Sequence, residues 1–146
     1  MARYLDDFTV GDSFESAGYT IGLEESLAFA RSYDPQPFHL DAEAAQRSVF
    51  RGLTCSGWQT AAITMRLTVQ AGMLEETGIV GTGIDDLRWL APVKPGDTLH
   101  VRGEVIEKLR PANGRRGTLR VRLHTFNQDG TIVMSQIANV ALPIPS

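Results

Sequence analysis

The chain has 146 residues, of which 42 % are hydrophobic and 21 % charged, with a formal net charge of −3. This balance predicts one folded domain over residues 1–146 and excludes a disordered chain, while the acidic charge excludes a protein that binds by neutralising many phosphates, so nucleic acid is not an expected partner. The lone Cys55 cannot form an internal disulfide, the opening MARYLDDFTVGD lacks a signal-peptide core, and no run reaches the roughly 18 apolar residues of a membrane span, so a cytoplasmic protein is expected.

In chain order, SFESAGYTI (13–21) reads as a strand. LEESLAFARSY spaces Leu23, Leu27, Ala30 and Tyr33 at helical intervals, carries Glu24 and Glu25 in its first turn and runs into Pro35, which predicts a helix over 23–33. Asp34 and Gln36 each precede a proline and are biased toward extended geometry, so YDPQPFH (33–39) reads as a stiff loop. Asp41 is a candidate N-cap for a short helix over AEAAQRS.

SGWQTAAITMRLTVQAG (56–72) is the longest helical candidate. Ser56 and Gln59 have capping-box spacing, and Trp58, Ala61, Ala62, Met65 and Val69 trace one face. Ile63 and Leu67 make further faces apolar and Arg66 is the one charge, so this helix is expected to be buried under a sheet.

Beyond residue 79 the period becomes two. GIDDLRWLA, TLHVRGEVIEKL, TLRVRLHTF and TIVMSQIANVAL read as four consecutive strands, in which Leu99, Val101, Gly103 and Val105, then Leu119, Val121 and Leu123, alternate with polar residues. Asn-Gly in PANGRRG and Asp-Gly in NQDG predict hairpins, and hence a meander. A first strand, a buried helix and a four-strand meander make an α+β architecture whose antiparallel sheet wraps a long central helix. Its open edges predict a dimer with a continuous sheet.

Asp34 and His39 are the leading chemical candidates. An imidazole can donate and accept, and a nearby carboxylate can take a proton from water, so the two together can do acid–base work near neutrality. Five extended residues span roughly 17 Å, so the chain must bend near Phe38 for them to meet. Alternatively, Asp34 forms an Asx turn before Pro35 and His39 is a packed or surface histidine. Gly52 precedes the long helix, where backbone N–H groups could meet an oxyanion; the same stretch also reads as a plain loop. Cys55 reads as a packed, inert thiol.

No metal-ligand spacing links His39, His100 and His124, GTGIDD is not a dinucleotide fingerprint, and Arg115 and Arg116 read as a solvated turn. No metal or cofactor is expected.

With these residues in view, the sequence resembles the MaoC-like dehydratases, which include the (R)-specific enoyl-CoA hydratases of hot-dog fold. DPQPFH matches that family's hydratase motif at Asp34, Pro37 and His39, with Gln36 in place of the usual Asn and Phe38 in place of an aliphatic residue. FRGLTCSGWQTAA is similar to the family's glycine-led start of the hot-dog helix, and LRWLAPVKPGDTL to its strand-turn element. The resemblance covers nearly the whole chain. It implies reversible hydration of a trans-2-enoyl thioester, carried by CoA or an acyl-carrier protein, to an (R)-3-hydroxyacyl thioester. Asp34 would be the base, His39 would position the water, the Gly52 N–H would stabilise the enolate oxygen, and Thr60 would supply a supporting hydroxyl. It also implies a site at a dimer interface. Two rival functions are a hot-dog thioesterase and a non-catalytic acyl-thioester-binding subunit of a hetero-oligomer. The segment from Gly57 to Gln70 contains no Asp or Glu, which disfavours a thioesterase with its carboxylate on the helix.

Overall fold

The computed structural model describes residues 3–144. Two short strands, β1 (Ser13–Glu15) and β2 (Tyr19–Thr20), precede three helical pieces, α1 (Leu23–Tyr33), α2 (Pro37–Leu40) and α3 (Ala42–Gln46). The long helix α4 (Gly57–Gln70) follows, then strands β3 (Val80–Trp89), β4 (Thr98–Leu109), β5 (Arg116–Phe126) and β6 (Ile132–Pro143). The antiparallel sheet runs β1-β4-β5-β6-β3, with β2 also paired to β4.

Alternation in the sequence becomes the two faces of this sheet. Leu99, Val101 and Val105 on β4 and Leu119, Val121 and Leu123 on β5 point inward and are buried with Ile63 and Leu67 of α4. Each such side chain, fully withdrawn from water, contributes about 1.5–3 kcal/mol. The turns after β4 and β5 close hairpins as the Asn-Gly and Asp-Gly signals predict.

Four expectations are corrected. The first concerns the meander, which stops at three strands, because β3 pairs with β6 and leaves β4 to pair with β5, β1 and β2. The link from β3 to β4 contains Pro92 and Pro95 and no two-residue turn. Instead Cys55 N–H donates to Val93 O at 2.8 Å, and Lys94 to Asp97 form a turn with Gly96 at φ +97°. Proline at the second position and glycine with positive φ at the third suit a type II turn, which does not fold a strand back on itself as a hairpin.

Second, SFESAGYTI is two strands broken at Ser16–Gly18 rather than one. Third, the 33–39 segment is not loop throughout: Gln36 is extended and Pro37 opens α2 as its first residue. Proline fits there because its fixed φ is helical and its missing N–H would have had no intrahelical acceptor.

The fourth correction concerns α4. Its buried face is Gln59, Thr60, Ile63, Thr64 and Leu67, whereas Trp58, Met65 and Val69 of the predicted apolar face are 58, 47 and 52 % exposed. The sheet covers one side of the helix and leaves the other bare. Among the described residues no helix is long and apolar enough to cross a membrane.

Candidate active site

The proline-rich loop acts as a lever. Asp34 ends α1, its N–H donating to Ala30 O at 2.9 Å, and Pro35 prevents the helix from continuing. Gln36 runs extended, and the single turn of α2 then swings His39 back toward Asp34, with His39 N–H donating to Gln36 O. The result is a 3.2 Å approach of His39 Nε2 to Asp34 Oδ2. The bend demanded at Phe38 is this helical turn.

His39 is buried, and its other nitrogen, Nδ1, lies 2.7 Å from Thr54 O. A carbonyl can only accept, so Nδ1 carries a proton, and in the neutral ring Nε2 is the acceptor. Nε2 and Oδ2 then face each other as two proton-accepting atoms. One proton between them makes an imidazolium–carboxylate pair; without it, they are placed to receive the hydrogens of a water.

Asp34 is held from both sides. Gln36 Nε2 donates to Oδ1 at 2.5 Å, and Ser56 Oγ donates to Oδ2 at 2.7 Å. Burial pushes the Asp34 pKa up, but the hydrogen bonds from Gln36 and Ser56, together with the His39 charge, outweigh it and leave the carboxyl below its ordinary value. The Gln that departs from the family motif thus reaches the carboxylate itself. Three consecutive residues tie the site together: Thr54 holds His39, Cys55 N–H binds the β3–β4 link at Val93, and Ser56 holds Asp34.

Asp34 and His39 lie on the wall of a cavity of about 510 Å³. Apart from this pair and its neighbours the lining is largely apolar, with Phe38, Phe50, Trp58, Trp89, Leu90 and Val93 among its residues. Thr60 also lines it, buried, and its hydroxyl makes no hydrogen bond among the described residues. Cys55 lines it too, but burial pushes its thiol up to about 11, so it stays a thiol rather than a nucleophilic thiolate.

Gly52 is not among the lining residues; it lies in a bend, and a Cβ built on it would meet nothing within 4 Å. Gly57 does line the cavity and is the first residue of α4, where an N–H has no carbonyl one turn back to bind. Trp89 Nε1 donates to Gly57 O at 2.8 Å, and a Cβ on Gly57 would come within 2.6 Å of that nitrogen. Only glycine lets the indole seat there. Trp58 packs edge-on against Trp89, with ring centroids 4.9 Å apart. Sequence reasoning missed Ser56, Gly57 and Trp89 as site residues. The signal for Gly57 was present, since the Ser56 cap sets where the helix begins. Gln59, the other half of the predicted capping box, leaves its Oε1 without a partner.

His100 and His124 are remote from this cavity. They stand on the polar side of β4 and β5, where His100 stacks on Phe126. Among the described residues no group of three or more His, Cys, Asp or Glu side chains converges.

Comparison with known proteins gives a consistent picture. The uncharacterised protein YdeM of Bacillus subtilis is 36 % identical over 124 residues, covering 85 % of this chain and 87 % of that protein. A MaoC-like dehydratase from Rhodospirillum rubrum superposes with a TM-score of 0.92 at 42 % identity, over 99 % of both chains. The R-hydratase PhaJ1 from Pseudomonas aeruginosa superposes with a TM-score of 0.73 at 30 % identity, over 97 % of this chain and 86 % of that one. The family model described as the MaoC like domain matches residues 7–125, so a hot-dog chain with this motif and this cavity belongs to the MaoC-like dehydratase family.

Proposed function

We propose that the protein adds water reversibly to a trans-2-enoyl thioester, giving an (R)-3-hydroxyacyl thioester. The observation that carries this reading is the 3.2 Å contact between His39 Nε2 and Asp34 Oδ2 in the wall of an apolar cavity. In the hydration direction a water on the cavity side donates one hydrogen to each of the two groups. Asp34 takes one of the water's protons as the hydroxyl oxygen bonds to the β-carbon; His39 Nε2 orients the water and then carries that same proton from Asp34 to the α-carbon, so both groups return to their starting state. Negative charge develops on the thioester oxygen meanwhile. We assign its stabilisation to the N–H of Gly57, a cavity-lining residue at the positive end of α4, in preference to Gly52, which does not line the cavity. The Thr60 hydroxyl is free to bind substrate or the added water. Nothing in this chemistry requires a cofactor.

The apolar lining supports aliphatic acyl groups, carried by CoA or an acyl-carrier protein. We further infer a homodimer: β3 is a sheet edge exposing Val80 and Ile84, next in the chain to the exposed face of α4.

The test is loss of the conjugated thioester absorbance across a panel of enoyl-CoAs, with product stereochemistry determined. Release of free thiol with no hydroxyacyl product would instead make the protein a thioesterase. Tight binding of a CoA ester without turnover would make it a binding subunit.

A further inference from the structure

We propose that Ser56 is a positioning residue that locks the Asp34 carboxylate to the start of α4, so that the base and the Gly57 amide form one rigid unit. The proposal rests on the hydratase reading for its kinetic consequences, though not for its geometry. Ser56 is fully buried, 22 residues from Asp34 in sequence, and its hydroxyl donates to Oδ2 at 2.7 Å. The same Oγ accepts from Trp58 N–H at 3.2 Å. That donor occupies a lone pair and leaves the hydroxyl proton free to point at Asp34, so its direction is dictated by the helix. Ser56 O in turn accepts from Gln59 and Thr60 N–H at 3.0 and 3.2 Å, which fixes the residue's backbone to the first turn.

The oxygen that Ser56 holds is the one that meets His39, while Gln36 holds the other. With donors on both oxygens the carboxylate cannot rotate freely. Among the described residues the titratable group facing Asp34 is His39 on α2; its remaining hydrogen-bonding neighbours, Gln36 and Ser56, are neutral. Losing the Ser56 donor therefore acts directly on the charged form of Asp34.

The primary variant is Ser56→Gly, because glycine is tolerated at an N-cap with little cost to the helix. Ser56→Ala and Ser56→Thr are measured beside it. Two readouts are taken: the pH profile of kcat/KM for a trans-2-enoyl-CoA, and the carbon-13 NMR titration of the Asp34 carboxyl, assigned by its disappearance in Asp34→Asn. A charge-assisted hydrogen bond corresponds to a shift of about one pH unit. Ser56→Gly and Ser56→Ala are expected to move both the Asp34 titration and the acid limb up by about that much, lowering kcat more than they change KM, with Ser56→Thr close to wild type. An unmoved Asp34 titration in a folded Gly or Ala variant overturns the proposal. A shifted titration in a protein that hydrates no enoyl thioester upholds the positioning role and overturns the hydratase reading instead.

Discussion

Two aspartates of this protein stand at nearly the same distance from a basic partner. Asp34 Oδ2 is 3.2 Å from His39 Nε2, and Asp85 Oδ2 is 3.1 Å from Arg120 Nη1. Their surroundings differ. The Asp34 and His39 side chains are 15 and 7 % exposed, whereas Asp85 and Arg120 are 50 and 24 % exposed. Asp85 belongs to a surface network in which Asn139 Nδ2 donates to it at 2.9 Å, and Arg120 Nε also stands 3.1 Å from Glu107 Oε1, close enough to pair though not aligned as a hydrogen bond. Both carboxyls lie below their ordinary pKa. For Asp85 the Asn139 hydrogen bond leads; for Asp34 burial opposes, and several donors overcome it. Proximity of charge is therefore common to both, and what sets Asp34 apart is its burial in the wall of a largely apolar cavity. In water the same contact is screened and worth little.

The largest expected effect is the loss of hydration in Asp34→Asn. Removing a general base costs about 10²–10⁴-fold in rate, and a folded Asn variant with near wild-type kcat would end the parallel between position and chemistry. His39→Ala should lower kcat by about 10²-fold or more on the same grounds; a change confined to KM would reduce His39 to a binding role.

Next come two glycines. Gly57→Ala forces a Cβ into the Trp89 indole and is expected to cost about 1–3 kcal/mol in urea unfolding, as overpacking does. Gly52→Ala, facing open space, should leave stability and turnover near wild type. A Gly52 variant that loses activity with Gly57→Ala unaffected would return the oxyanion role to Gly52.

Acid should then test the hold on Asp34. Because the folded-state pKa of Asp34 is lowered, its carboxylate stabilises the fold above the ordinary value of 3.8, and that contribution is lost as pH falls through the folded value. The urea midpoints of wild type and Asp34→Asn should therefore converge on acidification below about pH 4, and parallel curves would show that Asp34 is not held as a carboxylate.

The smallest effect belongs to the surface. Asp85→Asn should leave turnover unchanged and alter stability slightly, in a salt-dependent way, as exposed pairs do. A loss of activity there would show that the outer face of the sheet reaches the site.

Much of this was legible along the chain. The alternation of Leu99, Val101 and Val105, the limits of α1, and the caps at Asp41 and Ser56 all depend on neighbours within a few residues, and all are found. So was the identity of the Asp34–His39 pair, since the motif is local. The covered side of α4 was not legible, because Trp58 and Ile63 are both apolar and only the sheet decides between them. Nor was the partner of β3, which depends on a link whose path is set by Val93 and Cys55 rather than by any turn dipeptide.

The sequence by itself determined α1, the long helix and the four later strands, with the acid and the imidazole, because helix periods, strand alternation and proline restrictions act over a few bonds. Tertiary structure alone decided that Ser56 reaches back 22 residues to Asp34, that Gly57 rather than Gly52 meets the cavity, and that one face of α4 stays bare. Those outcomes depend on which surfaces meet when the sheet closes over the helix, and no local preference of the chain encodes that.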